Sequence, residues 1–236
     1  MDKIKVLNAY AGMGGNRKLL PNDKIDVVAV EKNQAIADLY KKYHPQDKII
    51  VADAHEYILK NYKNFDFIWS SVPCPSHSRA RYWSSKGGLL EPIYPDMSLW
   101  QEILFLSSFC DTKFVVENVE SYYPKILNPT KCGNHYFWAN FKILPLRDIA
   151  RKTDIITTKT THYGYNLEGE NIKDKVKILR NLVNPKLGLH IFECAFKKTQ
   201  MTVGEFHSTE THNNCYAVRK SEISSPKVLA SPKPIA

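Results

Sequence analysis

The chain has 236 residues, a formal net charge of +9 from 33 basic and 24 acidic side chains, and five cysteines. That length suits one α/β domain with a small appendage. It holds no run of about 18 apolar residues, which excludes a spanning helix, and its odd cysteine count without paired spacing argues against a disulfide framework. The positive charge speaks to partners rather than fold: a polyanion whose counterions are released, or a generally basic soluble protein, and charge alone divides these evenly. MDKIKVLNAY opens directly on a strand pattern with no hydrophobic signal core, so a cytoplasmic, reducing location is expected.

Lys3–Tyr10, with Ile4, Val6 and Leu7, reads as a buried first strand running into Ala11-Gly12-Met13-Gly14-Gly15. Glycines there let the backbone turn sharply and approach a ligand. The pattern alone could be only a tight turn; its place behind the first strand gives it weight, and the lack of a downstream Lys-Ser/Thr excludes a P-loop. Asn16–Leu20 is expected to make a turn or two of helix before Pro21. Asp26–Val30 is a second buried strand with Glu31 at its tip, where a carboxylate can accept hydrogen bonds from a ribose diol. The register favours that role over a merely solvated acid. Asn33–Tyr43 places Ala35, Ile36, Leu39 and Tyr40 at helical spacing and is closed by Pro45. Lys48–Val51 is strand three and Ala54–Asn61 the next helix. Asp53 between them has two compatible roles, a contact to an adenine amino group or the cap of that helix. Phe65–Ser71 is strand four. The alternation predicts parallel α/β winding, with ligand-directed groups at successive strand ends, the layout of a nucleoside-cofactor site.

Strand four runs into Val72-Pro73-Cys74-Pro75. A cysteine between two prolines at a strand end is fixed in direction and near the surface, because each proline locks its own φ. A buried, inert thiol is the competing reading. Ser76–Pro95 reads as a long basic loop bearing Arg79, Arg81, Lys86, Gly87 and Gly88, a length typical of lids and binding loops. Asp96–Cys110 is helical, with Cys110 packing near its end. Lys113–Val116 is strand five and leads into Glu117-Asn118-Val119. His44, His55 and His77 read as surface or capping groups. Cys132 and His135 supply only two ligands, so no metal site is expected.

In this order the residues resemble the DNA (cytosine-5) methyltransferases, which use S-adenosyl-L-methionine. The family's Phe-Ala-Gly-x-Gly-Gly motif is matched by Tyr10, Ala11, Gly12, Met13, Gly14 and Gly15. Its ribose-binding acid falls on Glu31 and its adenine-binding acid on Asp53. Its Pro-Cys motif, with a serine four residues after the cysteine, falls on Pro73, Cys74 and Ser78, and its Glu-Asn-Val motif on Glu117, Asn118 and Val119. Met13, Lys32, Ala54, Ser71, Pro73 and Leu99 fall where family members line the cofactor pocket. Each motif is weak alone; five in order and spacing are specific, and they extend from Ile4 to Glu120. His135-Tyr136-Phe137-Trp138-Ala139-Asn140 is similar to a Tyr-Phe-Trp-Gly-Asn segment of the animal de novo DNA methyltransferases. The resemblance implies a Rossmann-like methyltransferase sheet acting on double-stranded DNA with the target cytosine flipped out. Ser78, Arg79 and Arg81 would then meet the nucleic acid, with neither membrane nor metal involved.

The chemistry explains the residue types. Cytosine C5 is too weak a nucleophile to attack a sulfonium methyl, and adding a thiolate at C6 makes an enamine-like ring whose C5 can attack. Cysteine suits this because its thiolate is a strong nucleophile that can leave again. A carboxylic acid at Glu117 can donate to N3 as charge builds there, and Asn118 can orient neighbouring backbone or the Cys74 loop. The base has to leave the duplex at a cost of a few kcal/mol, and the loop after Cys74 is the segment expected to close over it, with Arg79 and Arg81 on phosphates.

The chain also departs from the family pattern. Pro75 stands where the family has Gln or Asn. The arginine pair expected before Tyr136 falls on Gly133 and His135, with Arg79, Arg81, Arg147 or Arg151 available as substitutes for a base contact. The last cofactor motif, Gly-Asn-Ser, is matched only by Asn213-Asn214-Cys215.

Residues 1–140 are expected to form the cofactor-binding and catalytic domain, 141–200 a small basic, partly β target-recognition segment, 201–220 a return to the core and 221–236 a flexible tail rich in proline and serine. Lys175–Val183 is expected to be helical, Leu189–Phe196 to return to the sheet, and Cys194 to be core. A bacterial restriction–modification or phage setting fits this reading. Two alternatives accompany it: a tRNA cytosine-5 methyltransferase, although the Cys-Phe-Thr signature of that branch is absent, and a cofactor- and nucleic-acid-binding subunit that needs a partner protein for specificity.

Overall fold

A computed structural model describes residues 2–146 and 160–196. Five strands, β1 (Ile4–Ala9), β2 (Ile25–Glu31), β3 (Lys48–Val51), β4 (Phe67–Ser71) and β5 (Lys113–Val119), run parallel; β6 (Thr130–Cys132) and β7 (His135–Ala139) form a hairpin whose second strand pairs antiparallel with β5. The order across the sheet is β3-β2-β1-β4-β5-β7-β6. The winding reverses between β1 and β4, and in such sheets the crevice at the carboxyl ends of the two strands flanking the reversal binds ligands. Two short strands, β8 (Thr161–His162) and β9 (Tyr165–Asn166), pair separately.

The strands are near-continuously apolar because both sheet faces are covered. Side chains alternate between the two faces. Leu7, Ile68 and Val116 pack with Ile58 of α2 (Ala54–Asn61) and Leu99, Ile103 and Leu106 of α4 (Ser98–Phe109). Their neighbours Val6, Phe67 and Val115 pack on the opposite side with Leu187, Ile191 and Phe192 of α6 (Pro185–Phe196). A third cluster joins Met13 to Leu39 of α1 (Gln34–Tyr43), Tyr165, Leu167, Leu182, and Leu179 of α5 (Lys175–Arg180).

Several expectations need correction. Leu189–Phe196 is not a strand: it is the last two thirds of α6, whose buried residues Leu187, Gly188, Ile191, Phe192 and Ala195 follow helical spacing. Pro185 opens that helix, and the Asn184 side chain accepts the Lys186 N–H at 3.0 Å. Cys194 is half-buried on it. Asn16–Leu20 forms turns instead of helix, because Arg17, 2 % exposed, is held by both oxygens of Asp47 at 2.9 Å. The stretch after Cys74 is not one loop but contains α3 (Arg79–Lys86). Strand β5 runs on through Val119, so Glu117-Asn118-Val119 belongs to it. His44 and His77 are buried instead of lying at the surface, but His44 takes the capping place that was the other expectation, closing α1 with its N–H donated to the Tyr40 carbonyl. Arg147, Arg151, Asn213-Asn214-Cys215, residues 201–220 and the tail 221–236 lie outside the described residues. Among the described residues, no helix is long and apolar enough to cross a membrane, and no group of His, Cys, Asp and Glu could hold a metal ion.

Candidate active site

A cleft of about 340 Å³ opens at the carboxyl ends of β1, β2, β4 and β5. The turn after β1 gives it Tyr10, Gly12, Met13 and Gly15; β2 gives Glu31 and, just beyond, Lys32; the start of α2 gives Ala54. Ser71, Pro73 and Cys74 come from the end of β4 and the turn after it, and Glu117 and Asn118 from β5. Twelve sequence-predicted positions thus meet on one wall system, although they come from five segments of the chain.

Register explains why Glu117 and Cys74 meet in the cleft. Glu117 pairs with Ser71 across β4 and β5, three residues before the cysteine. The turn that follows is fixed by Cys74 itself, whose carbonyl accepts the His77 and Ser78 N–H groups at 3.0 and 3.1 Å. Asn118, 1 % exposed, donates from Nδ2 to the Val72 carbonyl at 3.0 Å and accepts the Val119 N–H at 2.9 Å. It therefore ties β5 to the backbone two residues before Cys74. Burial, and secondly the nearby Glu117 carboxylate, push the Cys74 thiol up from 9.0 to about 11, while Lys177 pulls it down. Glu117 is itself buried, and His135 Nε2 lies 3.5 Å from its Oε1.

The cleft fits a nucleoside. Glu31 Oε2 accepts the Gly12 N–H at 3.1 Å and Oε1 the Asn33 N–H at 2.9 Å, which orients the carboxylate and leaves each oxygen a further lone pair. Gly12 has φ +54°, and nothing stands within 4 Å of where a Cβ would be, so the backbone itself meets the open space. Apolar Met13, Ile36 and Val72 complete the nearby wall.

Other predicted residues sit elsewhere. Gly14 belongs to the same turn but faces His44 and Tyr40, whose rings would stand 2.6–2.8 Å from an added Cβ. Asp53 is exposed and caps α2, accepting the Glu56 N–H at 3.2 Å, the second of its two compatible roles. Leu99 lies in the core, 1 % exposed, because its helix turns it onto the sheet. Ser78 caps α3 through the Arg81 N–H at 3.2 Å. Arg79 on that helix pairs with Glu120 at 3.5 Å, and Arg81 donates to the Glu91 carbonyl at 3.1 Å.

The cleft also contains residues that sequence reasoning missed. His135 enters from β7 and Lys177 from α5, and Arg180, Asn181, Leu182 and Val183 form a wall between α5 and α6. This wall presses on the glycine turn: a Cβ on Gly15 would stand 2.5 Å from the Val183 carbonyl oxygen. The Asn-Leu-Val-Asn-Pro stretch before a helical apolar pattern was the available signal. The apolar run that follows it, Leu189–Phe196, also fits a strand, and that competing pattern masks the signal.

A doubly wound sheet with a glycine turn, a β2 acid and a strand-end cleft is the architecture of a Rossmann-like methyltransferase. The family model described as C-5 cytosine-specific DNA methylase matches residues 4–125, and the chain belongs to that family. S-Adenosyl-L-methionine is the family's methyl donor. Solved structures resemble the chain at low identity. They include a candidate DNA modification methyltransferase encoded within an E. coli prophage (19 % identity, TM-score 0.40, 58 % of this chain and 46 % of that one). A SAM-dependent methyltransferase from Agrobacterium tumefaciens (12 %, 0.36, 54 % and 41 %) and a Spodoptera frugiperda DNMT2 variant (22 %, 0.35, 50 % and 36 %) are further examples. The chain spans less than half the length of each of these three. No curated protein matches it.

Proposed function

We propose that the protein is an S-adenosyl-L-methionine-dependent DNA cytosine-5 methyltransferase with Cys74 as nucleophile and Glu117 as its acid partner. The observation that supports this most directly is the single cleft holding the glycine turn, Glu31, Cys74, Glu117 and Asn118 together. Glu31 would accept the ribose hydroxyls of the donor, with Tyr10, Gly12, Met13, Gly15, Lys32, Ala54 and Pro73 around it.

A flipped-out cytosine enters with C6 toward Cys74 and N3 toward Glu117. The Cys74 sulfur bonds to C6 as Glu117 donates to N3, so the ring's added electron pair is held at a protonated nitrogen instead of a free anion. S-Adenosyl-L-methionine, when bound, supplies an electrophilic methyl group at C5. Release of the C5 proton to solvent water then expels the Cys74 thiolate and restores the aromatic ring. Asn118 keeps the Cys74 backbone in register with Glu117 through its bond to Val72. The raised thiol means that Cys74 rests protonated at neutral pH, so its attack on C6 passes the thiol proton to the Glu117 carboxylate, which delivers it to N3. Arg79 and Arg81, on the helix directly after the nucleophile turn, are assigned to phosphates.

Incubation with duplex DNA containing 5-fluorocytosine and S-adenosyl-L-methionine tests this, because fluorine at C5 blocks the final elimination. A covalent adduct mapped to Cys74, absent in Cys74→Ala, is the expected result. No adduct and no methylated DNA refutes the reading, and an adduct with tRNA alone transfers the same chemistry to the other substrate.

A further inference from the structure

Helix α4 carries a charge where its pattern calls for an apolar side chain. Glu102 lies on the stripe formed by Leu99, Ile103 and Leu106, facing the core, and is 1 % exposed. A carboxylate sealed among hydrocarbon is destabilising unless its partners compensate, and an apolar residue of similar size would commonly serve stability as well or better. Its retention therefore calls for an explanation beyond packing.

Its partners supply one. The Tyr10 hydroxyl donates to Oε1, His55 Nδ1 lies 2.9 Å from the same oxygen, and the buried Ser70 hydroxyl donates to Oε2 at 2.5 Å. These groups come from the turn after β1, the first turn of α2 and the end of β4. Each adjoins or forms the cleft: Tyr10 lines it directly, Ala54 precedes His55, and Ser71 follows Ser70. Glu102 itself does not line it. Tyr10 also has φ +54°, a left-handed conformation unfavourable for a side-chain-bearing residue and maintained only where the surroundings impose it.

We infer that Glu102 is a positioning residue for the methyl-donor pocket: it fixes the Tyr10 ring as a rigid wall of the cleft and locks the glycine turn, β4 and α2 to one another. The inference rests on the reading of that cleft as the S-adenosyl-L-methionine site. The family motif has Phe where this chain has Tyr10, so the hydroxyl that reaches Glu102 is a feature of this chain. Binding then needs little reordering of the pocket, and loss of the lock lowers affinity.

The test is titration calorimetry of the full chain with S-adenosyl-L-homocysteine, for the wild type, Tyr10→Phe, Glu102→Gln and the double variant. Tyr10→Phe is expected to weaken binding about threefold to tenfold and Glu102→Gln more than tenfold. The double variant should bind no more weakly than Glu102→Gln alone, because the hydroxyl acts through the carboxylate. In turnover, KM for S-adenosyl-L-methionine should rise by a larger factor than kcat falls. Should Glu102→Gln fail to fold, Tyr10→Phe, which removes one hydroxyl, carries the test. Wild type that binds while the folded variants bind within twofold of it, whatever their melting temperatures, overturns the inference alone. Wild type that binds neither compound overturns the methyl-donor reading and this inference with it.

Discussion

Replacing Glu117 by glutamine keeps the side chain's shape and removes its charge, and the consequence should be read at Cys74. Burial and the Glu117 carboxylate together raise the thiol from 9.0 to about 11. At about pH 8 such a thiol is ionised in roughly one molecule in a thousand, against about one in ten for the unshifted group. The substitution leaves burial in place, and burial is the larger cause. The increase in thiolate is therefore on the order of tenfold, with about a hundredfold as the ceiling. Iodoacetamide alkylation at that pH, with Cys74 followed by peptide mass spectrometry to separate it from the other cysteines, measures this directly. Below its pKa a thiol reacts tenfold faster per pH unit, so the wild-type rate should climb steadily toward pH 11 while the variant levels off earlier. Methyl transfer should fall by about 10²–10⁴ because the glutamine amide cannot give a proton to N3. Faster alkylation with slower catalysis is the expected pairing. Unchanged or slower alkylation in the variant would show that the carboxylate's charge is not felt at the thiol, and the shared-cleft mechanism would fail.

Three further outcomes follow from the packing around the cleft. His44 contacts the Met13 carbonyl at 3.2 Å and the Tyr165 hydroxyl at 3.1 Å, and burial lowers it from 6.5 to about 4. The unfolded chain takes up that proton first, so a contribution of about 3 kcal/mol is fully present above about pH 6.5 and lost as pH falls toward about 4. Urea unfolding of wild type and His44→Gln should show a stability difference that shrinks across that window, and a constant difference contradicts it. Asn118→Ala leaves the Val72 carbonyl without its side-chain donor and should cost about 1–3 kcal/mol of stability. The same variant should slow adduct formation in the fluorocytosine assay; equal trapping rates would remove Asn118 from the positioning of Cys74. Gly188→Ala places a methyl 2.2 Å from the Asn16 carbonyl oxygen and 2.6 Å from its Cα. Backbone cannot yield as a side-chain tip can, so about 1–3 kcal/mol is lost, outweighing the gain of about 1 kcal/mol in helix propensity. A circular-dichroism melt with an unchanged or higher Tm would rule out the close approach of α6 to the glycine turn.

Apart from α3, which reads as part of a loop, the order of strands and helices through β5 was legible in the residues because each signal there is local. Paired apolar runs mark strands covered on both faces, Asn33 and Asp53 mark helix starts, and Pro73-Cys74-Pro75 marks a rigid turn at a strand end. Strand-end placement alone then brought the glycine turn, Glu31, Cys74 and Glu117 toward one crevice, since parallel strands deliver their carboxyl ends to the same edge. Other features depended on contacts that no local pattern encodes. The apolar run ending at Phe196 fits strand or helix until it meets the sheet face carrying Val6 and Phe67, and burial on that face decides for a helix. Arg180–Val183 and His135 reach the cleft only through long-range packing of α5, α6 and the β6–β7 hairpin. Glu102 looks like one polar residue on an apolar helix until Tyr10, Ser70 and His55 converge on it. Sequence thus determined which chemical groups stand at the strand ends, because those positions follow from chain order. Tertiary structure decided what surrounds and aims them, because a side chain's partners are set by which surfaces the folded chain brings within a few ångströms.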